Sequence, residues 1–153
     1  MGCASTRQEE KTSLELCRDL QFEVYAKVVS KAEFNEVLRY LEKGFEINYP
    51  MPAFQRRTLL HAAAESGNEQ VCEGLISQGA DVNAKDQNGI TPIFLAFQKE
   101  HWTAFHQLVK AGADLSVQTK LGLFLHDYLP GKSSSKSIAE KRLSEINYSY
   151  HKK

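Results

Sequence analysis

The side chains best suited to catalysis or metal binding are few and scattered along the chain. His61 and Glu65 lie four residues apart, a spacing that would place two metal ligands or proton-relay groups on one face of a helix. Cys72 could be a nucleophile, and GKSS at Gly131 resembles a phosphate-binding loop that lacks its upstream glycine. These residues form no convincing catalytic set, so the sequence predicts no enzyme, no cofactor and no metal site.

The first seven residues, MGCASTR, indicate a different chemistry. The pattern Met-Gly-x-x-x-[Ser/Thr] is a signal for myristoylation of Gly2, and Thr6 fills its last position. One myristoyl chain binds a membrane only marginally, so lasting attachment needs a second signal, which a palmitoyl group on Cys3 would supply. The sequence therefore predicts lipidation at Gly2 and Cys3; the alternative is a chance match to a short motif.

The composition is that of an ordinary soluble domain. The chain has 153 residues, 42% of them hydrophobic, and 19 basic side chains balance 19 acidic ones. A neutral balance argues against a nucleic-acid binder, because a basic excess supplies most non-specific affinity for nucleic acid. No apolar run approaches the roughly 18 residues that span a bilayer, and no secretory signal is expected. Three cysteines without disulfide or metal spacing indicate a reducing compartment.

A repeat with a period of 33 residues organises the middle of the chain. The segment that begins TLLHAAAESG at Thr58 is followed by one that begins TPIFLAFQKE at Thr91, and the GAD sequences at Gly79 and Gly112 keep the same shift. A third, weaker copy lies upstream, at a shift of 35 residues. Repeats of this length are typical of helical pairs that bury their apolar faces against their neighbours.

Each copy has the local signals of two helices and a turn. LLHAAAE is an Ala-rich helix that Gly67 can end, and NEQVCEGLISQ has apolar residues on one face before Gly79. ADVNAKDQNG then predicts a tight hairpin. Thr91 and Pro92 predict the next helix start, with the Thr91 hydroxyl as the cap and Pro92 in the first turn.

The sequences TLLHAAAESG, GADVNA and DQNGITP resemble those of the ankyrin-repeat family, over about residues 24–128. The resemblance implies an all-α solenoid of stacked helix-turn-helix units joined by β-hairpin-like loops. Phe94 stands where the family usually has His, and Glu100 where it has Gly. The predicted organisation is a flexible acylated tail (1–12), a repeat domain (13–129, with repeats at about 22–49, 58–83, 91–116 and a partial unit at 123–129) and a polar linker with a C-terminal capping helix (130–153).

The resemblance also implies which residues bind a partner and which hold the stack together. Partner-binding positions are expected at the loop tips and on the exposed face of each first helix: Phe54, Gln55, Arg57, Glu65, Ser66, Gln87, Asn88, Ile90, Gln98, Lys99, Lys120, Leu121 and Leu123. For Ile90 and Leu123, packing between loops is an equal alternative. Structural roles are expected for Thr58, His61, Gly67, Gly79, Asn83, Gly89, Thr91, Pro92 and Gly112.

The sequence therefore favours a monomeric protein-interaction module, held as an adaptor or scaffold at the cytoplasmic face of a membrane by its acyl chains. The alternative is a soluble cytosolic ankyrin-repeat inhibitor or regulator without lipidation. A third possibility is a cryptic enzyme that uses His61 or Cys72. The expected partner is a protein of unknown identity, with no nucleic acid and no small-molecule substrate.

Overall fold

The computed structural model describes residues 20–122 and 124–125, and within them the chain is helical. Residues 20–29 form α1. It is followed by α2, a short 3₁₀ turn and four further helices. Their bounds are α2 Phe34–Glu42, the 3₁₀ turn Pro52–Phe54, α3 Leu59–Ser66, α4 Glu69–Ser77, α5 Pro92–Gln98 and α6 Trp102–Lys110. The all-α prediction is confirmed. The hairpin-like loops are built from turns, and the β pairing in the described part is an isolated bridge between Met51 and Arg57.

The helices pack in two layers. In one layer α3 contacts α5, and in the other α4 contacts both α2 and α6, while α3 with α4 and α5 with α6 form the helical pairs. Hydrogen bonds from Ser66 and Asn68 to the Val28 carbonyl join α1 to the second pair. The two layers define an inner row (α1, α3, α5) and an outer row (α2, α4, α6).

The inner helices are buried on nearly all sides because each lies between an outer helix and its inner neighbours. Residues 59–64 of α3 and 92–97 of α5 are buried throughout. In α3 three consecutive alanines let the adjacent helices approach closely, whereas α5 fills the space with larger side chains. Burying each large apolar side chain contributes about 1.5–3 kcal/mol. The outer helix α4 buries a single stripe of Val71, Cys72 and Leu75.

Polar residues at the start of α4 and of α6 reach back to the preceding repeat. Asn68, the N-cap of α4, accepts from the Val71 amide and donates to the Ala32 carbonyl. His101, which is 33 residues later, contacts the Glu65 carbonyl through Nε2 at 3.1 Å. A Cβ atom added to Gly67 would lie only 2.6 Å from the His101 ring. Gly67 has a φ of 66°. Gly67 therefore both ends α3 and leaves room for the link between repeats.

The two inner helices α3 and α5 begin differently. In α3 the imidazole Nδ1 of His61 accepts from the Thr58 amide at 3.1 Å and lies 2.9 Å from the Thr58 hydroxyl. Thr91 is the equivalent residue in α5, but its buried hydroxyl makes no hydrogen bond in the described part of the chain. The prediction that this hydroxyl caps α5 is wrong, because it accepts no hydrogen bond from a backbone amide of the first turn. Phe94 stands where His61 stands in α3, and its ring has no nitrogen to hydrogen-bond with the hydroxyl. Pro92 does occupy the first turn.

The segments predicted upstream and downstream lie outside the described residues. They are the tail at 1–12, the beginning of the first helix from residue 13, most of the partial unit at 123–129 and the C-terminal linker and capping helix at 130–153. At the edge of the described part, Leu125 is buried against the core.

The difference between the two threonines yields a paired prediction. Thr91→Val removes a buried hydroxyl that has no partner, so the free energy of unfolding should be unchanged or rise by up to about 1 kcal/mol. Thr58→Val removes a hydroxyl that lies against the His61 ring and should cost about 1–2 kcal/mol. Urea denaturation of both variants measures this; an equal loss of stability in the two would contradict the assignment.

Candidate partner-binding surface

Three loop tips line up along one edge of the stack. They comprise residues 54–56, 87–89 and 120–122, which we call the tip row. The Gln87 amide donates to the Gln55 carbonyl at 2.8 Å, and the Lys120 amide donates to the Asn88 carbonyl at 3.0 Å. These two bonds are equivalent under the 33-residue shift. They fix the backbone of neighbouring tips to one another and leave the side chains of Gln55, Gln87, Asn88 and Lys120 exposed.

Arg57, predicted to bind a partner, instead points into the protein. Its side chain is 17% exposed, and its guanidinium lies 2.7 Å from the Glu65 carboxylate and 3.4 Å from the Asp86 carboxylate. Asp86 is fully buried and also accepts from the amides of Asn88 and Ile90. Arg57 and Glu65 thus form part of an ion-pair network beneath the tip row. Asp86, which the sequence analysis missed, joins this network to the second tip.

Arg56 is the basic residue that the first tip exposes. It has a φ of 59°, and the equivalent positions of the next two tips are Gly89 and Gly122, with φ of 78° and 77°. It makes no ion pair with any described residue. The 33-residue shift aligns Arg56 with Gly89, so the sequence itself indicates that Arg56 occupies the turn.

Phe54 lies in an aromatic cluster at the first tip. Its ring stacks on Tyr25 of α1 with centroids 3.8 Å apart, and Phe22 packs edge-on at 4.9 Å. Burial raises the pKa of Tyr25, with the Glu65 carboxylate adding to the effect. Phe54 is half-buried, whereas Phe22 is 52% exposed. The aromatic surface of this tip is therefore shared between a loop residue and an inner helix.

The other predicted binding residues divide by exposure. Leu121, beside Lys120, is 78% exposed, whereas the Ile90 side chain is half-buried and packs against the core. At the far end of the inner helices Gln98 and Lys99 are exposed, while the Ser66 hydroxyl contacts the carbonyls of Val28 and Ala63. Leu123 lies outside the described residues.

Several residues that were predicted to have structural roles form contacts between neighbouring repeats. The Asn83 side chain accepts from the Asp114 amide at 2.8 Å, and Asn48 does the same for the Asp81 amide one repeat earlier. Gly79 and Gly112 follow the outer helices with φ of 85° and 87°. The asparagine at the base of each loop thus connects it to the next loop, a contact beyond the turn geometry expected for Asn83.

His61 is fully buried and connects three elements. Because Nδ1 accepts from the Thr58 amide, the proton of the neutral ring must be on Nε2, which then donates to the Ile90 carbonyl at 3.0 Å. Burial lowers the pKa of His61 from 6.5 to about 4, because the charged ring would lose its hydration. The residue is neutral at physiological pH, and both of its nitrogens are occupied by the fold.

The Cys72 thiol and the acidic and imidazole groups are the other candidates for chemistry. Burial raises the pKa of the Cys72 thiol to about 12, which disfavours the reactive thiolate. In the part of the chain that the structure describes, no cluster of three His, Cys, Asp or Glu residues could hold a metal ion. Among the same residues, no helix combines the length and apolar character needed to cross a bilayer.

Comparison with known proteins gives one recurrent description. A profile described as ankyrin repeats (3 copies) matches residues 27–119. ARF GTPase-activating protein Git of Drosophila melanogaster is 38% identical over 97 residues, which are 62% of this chain and 13% of that protein. An ankyrin repeat-containing protein of Schizosaccharomyces pombe is 27% identical over 113 residues, which are 72% of this chain and 52% of that protein. The chain therefore spans at most about half the length of these relatives.

The burial of His61 predicts a loss of stability in acid. The unfolded state takes up a proton below about pH 6.5, while the folded state resists protonation until about pH 4, so stability falls as pH is lowered through this window. Complete loss of this contribution would amount to about 3 kcal/mol. Between pH 7 and pH 4, the free energy of unfolding should fall less steeply with decreasing pH for His61→Asn than for the native chain. Denaturation at a series of pH values measures this slope. A slope identical to that of the native chain in His61→Asn would disprove the assignment.

Proposed function

The chain belongs to the ankyrin-repeat family, and from this premise we propose that it is a protein–protein interaction module that binds its partner through the tip row. The observation that carries the proposal is the arrangement of the tips. Their backbones are hydrogen-bonded in register, while their amide, basic and apolar side chains face solvent. Such a surface is ordered before binding, so a partner need not offset much of the entropy of ordering it.

A second surface on the molecule is a weaker candidate. A shallow groove runs between the outer helices α4 and α6 and is lined by Glu73, Ile76, Ser77, Thr103, His106, Gln107, Lys110 and Ala111. Among the described residues that line it, Ile76 and Ala111 are the only ones with apolar side chains, and the groove offers no exposed aromatic anchor. This groove supplies a matched control for tests of the tip row.

A non-enzymatic role forms part of the proposal. Both ring nitrogens of His61 are engaged within the fold, and the Cys72 thiol is buried with its pKa raised to about 12. Neither group is available to a substrate in this arrangement. These contacts support the view that the two most reactive-looking residues of the sequence serve packing.

The binding surface can be tested with two arginine substitutions. Asn88→Arg places a bulky charge in the middle of the tip row, and Thr103→Arg does the same on the outer-helix groove. Affinity capture from a eukaryotic lysate followed by quantitative mass spectrometry should recover the same partners with the native chain and with Thr103→Arg, and lose them with Asn88→Arg. Both variants should retain the native circular dichroism spectrum. Partners lost only with Thr103→Arg would reject the proposed surface.

We further propose that the module is held at the cytoplasmic face of a membrane by acylation of Gly2 and Cys3. The sequence MGCASTR supports this part, and it lies outside the described residues. A single myristoyl chain gives an association constant of only about 10⁴ M⁻¹, so Cys3 would supply the second anchor. The competing function is a soluble regulator that lacks both modifications.

Replacing the acylated residues separates these two functions. In eukaryotic cells Gly2→Ala should move the protein from the membrane pellet to the soluble fraction, and Cys3→Ser should leave only weak attachment. Ser5→Ala is the control, because it alters the same segment without touching Gly2, Cys3 or Thr6. Intact mass spectrometry should show the added acyl groups. An unmodified native mass, or a Gly2→Ala protein that still pellets, would favour the soluble regulator.

A further inference from the structure

Charge is distributed unevenly on the tip row, although the whole chain is neutral. The nearby carboxylates of Glu65 and Asp86 are both engaged with Arg57, and that of Asp86 also accepts from two backbone amides. The exposed charges on the tips themselves are Arg56 and Lys120, and neither forms an ion pair with a described residue. The tip row therefore carries two exposed cations and no acidic residue of its own, while the partly exposed Glu65 behind it is paired with Arg57.

Each cation has an apolar neighbour. Arg56 lies two residues after Phe54, whose ring packs with the exposed Phe22. Lys120 precedes Leu121, the most exposed large hydrophobic residue of the described chain. Between the two ends the row offers the amides of Gln87 and Asn88. The pattern is a cation with an apolar contact at each end and hydrogen-bonding groups in the middle.

The backbone of the first tip is strained in a way that favours a role for the Arg56 side chain. Gln55 and Arg56 both have positive φ, at 57° and 59°, a conformation that is strained for a residue with a side chain. The next two tips avoid this cost with Gly89 and Gly122. An arginine kept where glycine would be easier, and exposed without an ion pair, is explained if its guanidinium binds a ligand.

We propose that the tip row binds an extended acidic segment of a partner protein, with one carboxylate at Arg56 and a second at Lys120. This inference rests on the proposed function and adds the chemistry of the partner. Inner helices pack about 8–10 Å apart, so the two cations are separated by about two such spacings. An extended chain advances about 3.3 Å per residue, and the two acidic residues should therefore lie about five to six positions apart.

An acidic peptide suits this surface better than an anionic membrane does. Lipid recognition by charge relies on clusters of about four to eight basic residues, because each one contributes little alone. The tip row has two cations, which are separated by uncharged amides. Amides and flanking apolar side chains have partners in a peptide, namely its backbone and its side chains, whereas a layer of headgroups would leave them unused.

The test is a selection from a displayed random library of peptides of about twelve residues, long enough to span the row. We expect the enriched peptides to be acidic, with two carboxylates about five to six positions apart. Arg56→Gln and Lys120→Gln should each weaken an enriched peptide about tenfold, whereas Lys110→Gln, an exposed lysine of α6, should not change its affinity. Raising the salt concentration should weaken binding, because exposed ion pairs are screened.

A second variant separates binding from folding. Arg56→Gly should raise the Tm, because it relieves the left-handed strain, and should still weaken the enriched peptide about tenfold. A residue that served only the fold would not give these opposite effects. If Arg56→Gly leaves the affinity unchanged, the inference is wrong.

The remaining outcomes distinguish this inference from the function on which it rests. Enriched peptides that are neutral or basic, but are lost with Asn88→Arg, would overturn the acidic partner and leave the binding module intact. Peptides insensitive to every tip variant, or no enrichment at all, would overturn both. Vesicles of phosphatidylserine and phosphatidylcholine form a separate arm: binding that depends on Arg56 and Lys120, without acidic peptides, would assign the row to lipid.

Discussion

The hydrogen bond from the His61 ring to the Ile90 carbonyl is the contact on which the arrangement of the tips depends. It ties the start of α3 to the following loop, and the same carbonyl accepts from the Asp86 amide. The Asp86 carboxylate then holds the amides of the second tip and meets Arg57. One buried, neutral imidazole thus fixes a loop whose own residues are mostly polar. Because the His61 ring and the Asp86 carboxylate are out of contact with water, losing either would leave its partners unsatisfied.

The three helical pairs share this plan to different degrees, and the second is the most complete. Its imidazole is replaced by Phe94 in the third pair. The phenyl ring of Phe94 fills the space with apolar surface but leaves the Thr91 hydroxyl without a partner. Similarly, Gly67 ends α3 without strain, while Glu100 makes the equivalent turn with a φ of 60°. A solenoid tolerates such local losses because its stability is approximately a sum over repeats and their interfaces.

Much of the fold could be predicted from the sequence because it depends on local signals that recur every 33 residues. The Ala-rich α3, the apolar stripe of α4 and the turn at Gly67 follow from composition and spacing alone. The first loop is less regular, since an insertion near Pro52 breaks the period just before the tip. The 33-residue shift still aligns Arg56 with Gly89, but the inward direction of Arg57 depends on its buried partner Asp86, 29 residues away, which no local pattern indicates. The hydrogen bond from His101 to the Glu65 carbonyl is likewise a long-range contact that no local pattern indicates.

The first tip differs from the other two because its backbone conformation conflicts with the conformational preferences of its residues. Two consecutive side chains adopt a conformation that glycine would adopt more easily, and aromatic surface stays partly exposed beside them. Sequences that fold well rarely combine such features unless something other than folding requires them. The neighbouring network explains why the strain persists: Arg57 and the Met51–Arg57 bridge hold the loop from one side, and the stacked rings of Phe54 and Tyr25 hold it from the other. The loop is thereby held in a geometry that the tip residues themselves do not favour, and this keeps the guanidinium of Arg56 in solvent.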